Sequence, residues 1–155
     1  MGFLHNLKLR FSPPSMNDPD FGRLLFMFVP VAPHRSYWEG EWTFPSTGRP
    51  IGIGLLGSES GPIPEARQFY LSLPERFEKI LAAARPKLEE VFKIWLRQEL
   101  PNDIFTVVEL SGFDVDNPRT CPQEWSVSFE TKGEKWLGIV IPFIGEEPHE
   151  AVVDT

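Results

Sequence analysis

The chain has 155 residues with 41% hydrophobic content, which is enough for one domain over residues 1–155 that buries about two thirds of its unfolded surface. Its formal net charge of −7 repels phosphate backbones, so nucleic acid is not expected as a partner. The single cysteine excludes an internal disulfide and the paired-thiol zinc motifs. No secretory leader is recognisable and no apolar run reaches the roughly 18 residues that span a bilayer, so a cytoplasmic protein without a membrane partner is predicted.

The first half of the chain is predicted to form strands separated by Pro and Gly. The segment "FLHNLKLRF" at 3–11 alternates apolar and polar residues as a half-buried strand does, and two prolines end it. The turn-forming "PPSMNDPD" precedes an apolar strand that starts at Phe21. "PSTGRP" predicts a hairpin turn between the strands "YWEGEWTF" and "IGIGLL". In "YWEGEWTF", one face carries Trp38, Gly40, Trp42 and Phe44, and the other carries Tyr37, Glu39, Glu41 and Thr43.

The middle of the chain changes period. From Pro64 to Leu96 apolar residues recur at three- and four-residue steps, as in an amphipathic helix. Pro74 and Pro86 each remove a backbone donor, so two or three Pro-broken helices are expected. Alternating strands return in "IFTVVEL", "EWSVSFE" and "KWLGIVIPF", and the tail 146–155 is expected to be a flexible acidic end. The predicted fold class is α+β, with a largely antiparallel, twisted sheet of about six to eight strands packed against the helical block.

The stretch "RPIGIGLLGSESGP" has the G-x-G-x-x-G spacing of dinucleotide-binding loops at Gly52, Gly54 and Gly57. That fingerprint needs a strand that ends at the first glycine and a helix that starts near the second. Here apolar residues alternate through the glycines, and Pro62 and Pro64 delay the helix. A strand is therefore predicted, in which Gly52 and Gly54 allow close packing or a bulge, and no cofactor is expected.

Asp20-Phe21-Gly22 matches the metal-binding tripeptide of protein kinases. It precedes the glycine-rich stretch instead of following it, and no catalytic-loop signature accompanies it. The tripeptide is therefore predicted to be a turn that enters a strand.

The histidines and the cysteine give no metal or catalytic site. His5, His34 and His149 lie far apart and lack the i, i+4 spacing of a metal pair, and His5 is expected at the core or its boundary. Cys121 has no neighbour in sequence that would lower its pKa. No catalytic, cofactor-binding or metal residue is therefore assigned.

The candidate binding residues are Tyr37, Glu39 and Glu41. Residues two apart on a strand project to the same side with Cα atoms about 6.5 to 7 Å apart, a separation compatible with the carboxylate pair of inverting glycosidases. A small-molecule or carbohydrate-binding or hydrolytic domain is therefore one hypothesis, with no enzymatic activity as the favoured expectation. The aromatic residues of the strands are interpreted as core, in particular Trp38, Trp42 and Trp125.

Short signals follow one another between Asp18 and Ile141: "DPDFGRL", "YWEGE", an "I-G-I" strand, "GP" with Gln68 beyond it, two helical pieces and "WLGIVI". In this order the chain resembles an uncharacterised bacterial domain family grouped with the immunity proteins of polymorphic toxin systems. The inserts "VPVAPHR" and "NDIFTVVELSGFDVDNPRTC" depart from the family pattern. The matching positions are Asp20, Phe21, Gly22, Leu24, Trp38, Glu39, Gly40, Ile51, Ile53, Gly61, Pro62, Gln68, Trp136 and Gly138.

The resemblance implies a small acidic protein without catalysis that neutralises a cognate toxin by binding it. An acidic surface suits a basic toxin, because complementary charge steers the encounter. A non-enzymatic, immunity-like binding domain is therefore the leading hypothesis. The small-ligand or hydrolytic domain that uses Glu39 and Glu41, and a structural or oligomerisation domain that forms homo-oligomers, are the alternatives.

Overall fold

The computed structural model describes residues 2–155 and has the mixed α+β fold that the sequence predicts. The described chain forms two compact units, the first ending at Pro74 and the second spanning Glu75–Thr155. Its helices are α1 (Phe3–Phe11) and α2 (Pro64–Val91), with 3-10 turns at Pro33–Arg35 and Ile104–Thr106 and a π turn at Phe92–Leu96. Its strands are β1 (Ser15–Asp18), β2 (Gly22–Met27), β3 (Tyr37–Phe44), β4 (Arg49–Ser58), β5 (Gly61–Pro62), β6 (Val108–Asp114), β7 (Glu124–Thr131), β8 (Gly138–Ile144), β9 (Glu147–Pro148) and β10 (Val152–Asp154).

The first unit contains an antiparallel meander in the order β1-β2-β3-β4, with the short β5 paired to β4. The register of β3 and β4 runs without interruption from Tyr37 opposite Leu56 to Phe44 opposite Arg49. Gly48 has a φ of 67° in the connecting turn, a conformation that glycine adopts without steric cost. The predicted β3–β4 hairpin is therefore confirmed.

Aromatic rings fill the core of this unit, as predicted for the inner face of β3. Trp38 and Trp42 are 2% and 8% exposed. The Trp42 ring meets Phe21 edge to face at 5.1 Å between centroids, and Tyr70 of α2 meets it at 6.5 Å. Such pairs contribute about 0.5–1.5 kcal/mol each beyond the burial of their area. The cluster therefore joins the β1–β2 turn, β3 and the first part of α2 into one core.

The strand predicted over residues 3–11 is wrong, because this segment is the helix α1. Its alternation is short, and the same nine residues also place Leu4, Leu7 and Phe11 at helical three- and four-residue steps. Leucine favours a helix over a strand in such a tie. A second difference follows directly, since "PPSMNDPD" contains the strand β1 where only a turn was predicted.

The second unit contains antiparallel strands in the order β6-β7-β8-β10, with β9 paired to β8. The alternation predicted for β7 and β8 is confirmed, since Val127, Phe129, Ile139 and Ile141 are fully buried on one face. Between Leu110 and Gly112 the register of β6 against β7 shifts by one residue, which is a β-bulge. The acidic tail contributes β9 and β10.

The helix α2 runs without a break through Pro74 and Pro86, so the predicted Pro-broken pieces are not separate helices. Each proline costs a helix interior about 3 kcal/mol. A buried stripe outweighs this cost, because each large apolar side chain contributes about 1.5–3 kcal/mol. The stripe consists of Ala66, Phe69, Tyr70, Leu73, Phe77, Ile80, Ala84, Leu88 and Val91.

Candidate functional site

The glycines of the dinucleotide-like spacing all lie within β4, which confirms the predicted strand. The expected crowding at Gly52 and Gly54 is wrong: a Cβ at Gly52 would meet no atom within 4 Å, and one at Gly54 would meet only the Tyr37 ring at 3.5 Å. The close approach occurs at Gly57, where a Cβ would lie 2.4 Å from the carbonyl oxygen of Gly61. Gly57 therefore permits the tight β4–β5 hairpin.

The kinase-like tripeptide forms the β1–β2 turn, as predicted. The buried Asp18 accepts hydrogen bonds at Oδ1 from the backbone N–H groups of Asp20 and Phe21, at 2.8 and 3.1 Å. The Arg67 guanidinium donates to the carboxylates of Asp18 and Asp20 and lies 5.4 Å from the centre of the Phe21 ring. Gly22 closes the turn with a φ of 76°. We call this arrangement the Asp18–Arg67 clamp, and its contacts give it a structural role.

His5 is not a core residue, contrary to the prediction. Because its segment is a helix, its side chain reaches the surface, where Nε2 lies 2.6 Å from Oε1 of Glu59. His34 and His149 are exposed, as is the free thiol of Cys121.

The candidate residues Tyr37, Glu39 and Glu41 share the outer side of β3, as the alternation predicts. Both glutamates are exposed, and Tyr37 is half-buried. Glu39 stands opposite Gly54 and Glu41 opposite Gly52, so glycines border the two carboxylates on the β4 side. The cavities described below are lined by other residues. A ligand site at Glu39 and Glu41 stays a prediction.

Acidic residues lie on the outward side of strands β6, β7 and β10 in the second unit. The cross-strand register places Glu109 opposite Glu130 and Asp154 opposite Gly138, next to each other along the sheet. Glu124 stands at the far end of β7. Strand neighbours in register share a face. We call this surface the acidic face; its carboxylates belong to Glu109, Asp114, Glu124, Glu130 and Asp154.

Exposed apolar side chains lie between these carboxylates. Val140 stands opposite Val152, and Ile144 stands opposite Glu124. Their exposed fractions are 37% for Val140, 40% for Ile144 and 62% for Val152. The remaining outward positions of β7 and β8 hold serine, proline and glycine, so no member of the face is Lys or Arg. Exposed apolar side chains on β8 and β10, next to carboxylates on β6, β7 and β10, together suit a basic protein partner.

Asp114 stands on this face at the end of β6. Partial burial and the nearby charge of Asp116 raise the pKa of the Asp114 carboxyl above its ordinary 3.8. The folded chain therefore binds this proton more tightly than the unfolded chain does. As pH rises through the raised pKa, the contribution of Asp114 to stability falls.

Asp114→Asn is expected to raise the free energy of unfolding at about pH 7, and this gain shrinks towards about pH 3, where the native carboxyl is protonated. Urea unfolding at the two pH values measures the difference. Glu78→Gln, at an exposed position of α2, is the control for the loss of one negative charge and is measured at the same two pH values. An equal effect of Asp114→Asn at both pH values would contradict the raised pKa.

A groove of about 540 Å³ lies beside the π turn in the second unit, next to the 41% exposed Trp95. Two lysines border it: Lys132 donates to the carbonyl of Phe105 at 2.6 Å, and Lys135 donates to the carbonyl of Trp95 at 3.3 Å. Cations at the last carbonyls of a helical segment offset the negative end of its dipole. Arg97 ends the π turn with a φ of 53°. Lys135 thus stabilises the π turn, and Lys132 stabilises the 3-10 turn at Ile104–Thr106.

A smaller notch of about 200 Å³ lies over Trp125. Trp125 stacks on Phe143 with ring centres 4.3 Å apart, and the Arg76 guanidinium lies 5.2 Å from the Trp125 ring. The indole N–H donates to the carbonyl of Gly145 at 2.8 Å. These contacts account for the burial of Trp125, which confirms its prediction as a core residue.

The acidic face was not predicted from the sequence as a site, although the alternation of "EWSVSFE" already placed Glu124 and Glu130 opposite the core side of β7. The sequence does not contain the register in which the strands pair, and the carboxylates come from three strands, β6, β7 and β10. Only strand pairing brings these separate acids together.

Comparison of the chain with protein-family models, with curated proteins and with solved structures gave no match. Over residues 2–155, no helix is both long and apolar enough to cross a membrane. In the same residues, no three His, Cys, Asp or Glu side chains are grouped so as to hold a metal ion. The resemblance to immunity proteins stays a prediction.

Proposed function

We propose that this chain is a non-enzymatic bacterial protein-binding domain of the immunity kind, which neutralises a basic cognate toxin in the cytoplasm by direct binding. The observation that carries the proposal is the acidic face, with five carboxylates beside exposed Val140, Ile144 and Val152 and no basic residue. The resemblance drawn from the sequence supports the same function.

The two components of this face have separate roles in binding. The apolar residues lose contact with water when a partner covers them, at about 25 cal/mol per Å² of apolar area. The carboxylates at the rim attract a basic partner over a distance and raise the association rate, an effect that salt weakens. Binding should therefore be fast at low ionic strength and clearly salt-dependent.

The proposed function is tested by measuring binding of this chain to the protein encoded by the gene next to its own. We expect a complex of the two purified proteins, and Glu124→Lys/Glu130→Lys should slow association by more than about tenfold at low salt. The matched control is Glu78→Lys/Glu90→Lys, which makes the same change in net charge at exposed positions of α2. Its association rate should stay within about twofold of that of the unaltered chain.

Stopped-flow mixing at about 50 mM and about 500 mM salt measures these rates. Protection of cells that express the neighbouring gene product tests neutralisation. A complex that both variant pairs weaken equally would place the binding surface elsewhere. The absence of any complex with the neighbouring product would count against the immunity function itself.

A further inference from the structure

We infer that copies of this chain associate head to tail, with the outward side of α1 in one copy docked on the acidic face of another copy. This association involves the chain alone and does not depend on the proposed toxin partner. Three features carry it: an uncovered apolar stripe on α1, the cations beside that stripe, and the matching size and charge of the acidic face.

The helix α1 is apolar on two opposite sides. Leu9 is 3% exposed and anchors one side to the first unit. On the other side Phe3, Leu4 and Phe11 are 76%, 80% and 75% exposed. At about 100° per residue, these three and the half-buried Leu7 fall within an arc of about 100°. Large apolar side chains gathered on one exposed stripe mark an interaction surface.

Cations flank this stripe. On the same helical projection, Lys8 lies at one border of the stripe and Arg10 at the other. The nine residues of α1 include no Asp or Glu, although the whole chain has a net charge of −7. The stripe therefore combines apolar side chains with positive charge, and its best complement is a surface that combines exposed apolar side chains with carboxylates.

The acidic face supplies that complement at the right scale. Val140 and Ile144 stand four residues apart on β8, a distance of about 13 Å. Phe3 and Phe11 stand eight residues apart on α1, a distance of about 12 Å. Glu124 lies beside Ile144 on the neighbouring strand, which places a carboxylate where a flanking cation of α1 can reach it. The two surfaces thus match in length, both expose apolar side chains, and their charges are opposite.

The contact uses different surfaces of the two copies, so it is a heterologous contact that can extend beyond a dimer. A nine-residue helix covers less area than the roughly 800 Å² per partner of a standard interface, so the association is weak. We expect it to become measurable by sedimentation equilibrium between about 0.1 and 1 mM protein and to weaken at high salt.

Charge reversal tests the contact on the full chain. Lys8→Glu/Arg10→Glu and Glu124→Lys/Glu130→Lys should each leave the chain monomeric, because like charges then face each other. Mixing the two variants should restore association, since each copy again meets an opposite charge. The matched controls Lys79→Glu/Lys93→Glu and Glu78→Lys/Glu90→Lys change the net charge equally at exposed positions and should still associate.

Circular dichroism of each variant checks that it is folded. A monomer at every concentration, or association that both control pairs abolish equally, would overturn the inference. So would loss of association in each charge-reversed variant alone without recovery when the two are mixed. If α1 instead binds anionic lipid vesicles in a Lys8- and Arg10-dependent manner while the protein stays monomeric, its partner is a lipid surface and the inference is wrong. These outcomes concern contact between copies of this chain, and binding of the neighbouring gene product is tested separately, as described under the proposed function.

Discussion

Asp18→Ala is expected to lower the free energy of unfolding by about 3 kcal/mol, because it removes the buried carboxylate of the Asp18–Arg67 clamp. Two backbone N–H groups of the β1–β2 turn then lose their acceptor, and Arg67 loses the partner that is 1% exposed. Leaving buried donors without partners costs about 1–3 kcal/mol, and the broken ion pair adds to this. Urea unfolding with tryptophan fluorescence measures the change.

Two further variants separate the contributions. Asp20→Ala removes the carboxylate that is 43% exposed and should cost less than about 1 kcal/mol. Asp18→Asn keeps an oxygen acceptor for the turn but loses the charge, so its cost should fall between the other two. Similar losses for Asp18→Ala and Asp20→Ala would show that the buried carboxylate is not the centre of the clamp.

Gly57→Ala is expected to destabilise the chain by about 2–3 kcal/mol, because the added methyl group has no room. Its position lies 2.4 Å from the carbonyl oxygen of Gly61 and 2.7 Å from Cα of Pro62. Both are backbone atoms of β5, which cannot move without opening the β4–β5 hairpin. The comparison of unfolding free energies by urea titration tests this expectation.

Gly52→Ala is the matched control, since both glycines lie on β4 and a Cβ at Gly52 meets no atom within 4 Å. Its unfolding free energy should stay within about 0.5 kcal/mol of that of the unaltered chain. If both substitutions proved equally mild, the hairpin would be able to open at little cost and Gly57 would not be required there.

The strands at the centre of each unit could be predicted from the sequence because their alternation matches a buried face. Trp38, Trp42 and Phe44 on β3, and Trp125, Val127 and Phe129 on β7, are inner-face residues in the pattern and in the structure. When every second residue is large and apolar over seven or eight positions, a helix would expose half of them. A long alternation of this kind is therefore compatible with a strand and not with a helix.

Where the pattern of apolar residues is short, its period does not distinguish a strand from a helix. In α1, nine residues satisfy both the strand and the helix period, and the helix exposes Phe3 and Phe11 all the same. A prediction that assumes every large apolar side chain is buried cannot identify an apolar stripe that is exposed. The same residues that caused the wrong prediction are therefore those that indicate an interaction surface.

The candidate site could be predicted only in part. Glu39 and Glu41 are two residues apart on one strand, so their shared side follows from local alternation. The acidic face depends on contacts between residues far apart in sequence, such as Glu109 with Glu130 and Gly138 with Asp154. The β-bulge between Leu110 and Gly112 also shifts the pairing of β6 with β7 by one residue. The alternation of residues along β6 alone could not predict this shift.

The unbroken course of α2 has a consequence for how this helix responds to stress. Pro74 and Pro86 carry no amide hydrogen, so the ladder of main-chain hydrogen bonds has gaps at two points within an otherwise regular helix. The helix is therefore continuous in its backbone shape, but the two gaps divide its main-chain hydrogen bonds into three segments. Its buried side chains hold these segments together. Local opening of α2 is therefore expected to begin next to the prolines, where the helix lacks a main-chain hydrogen bond.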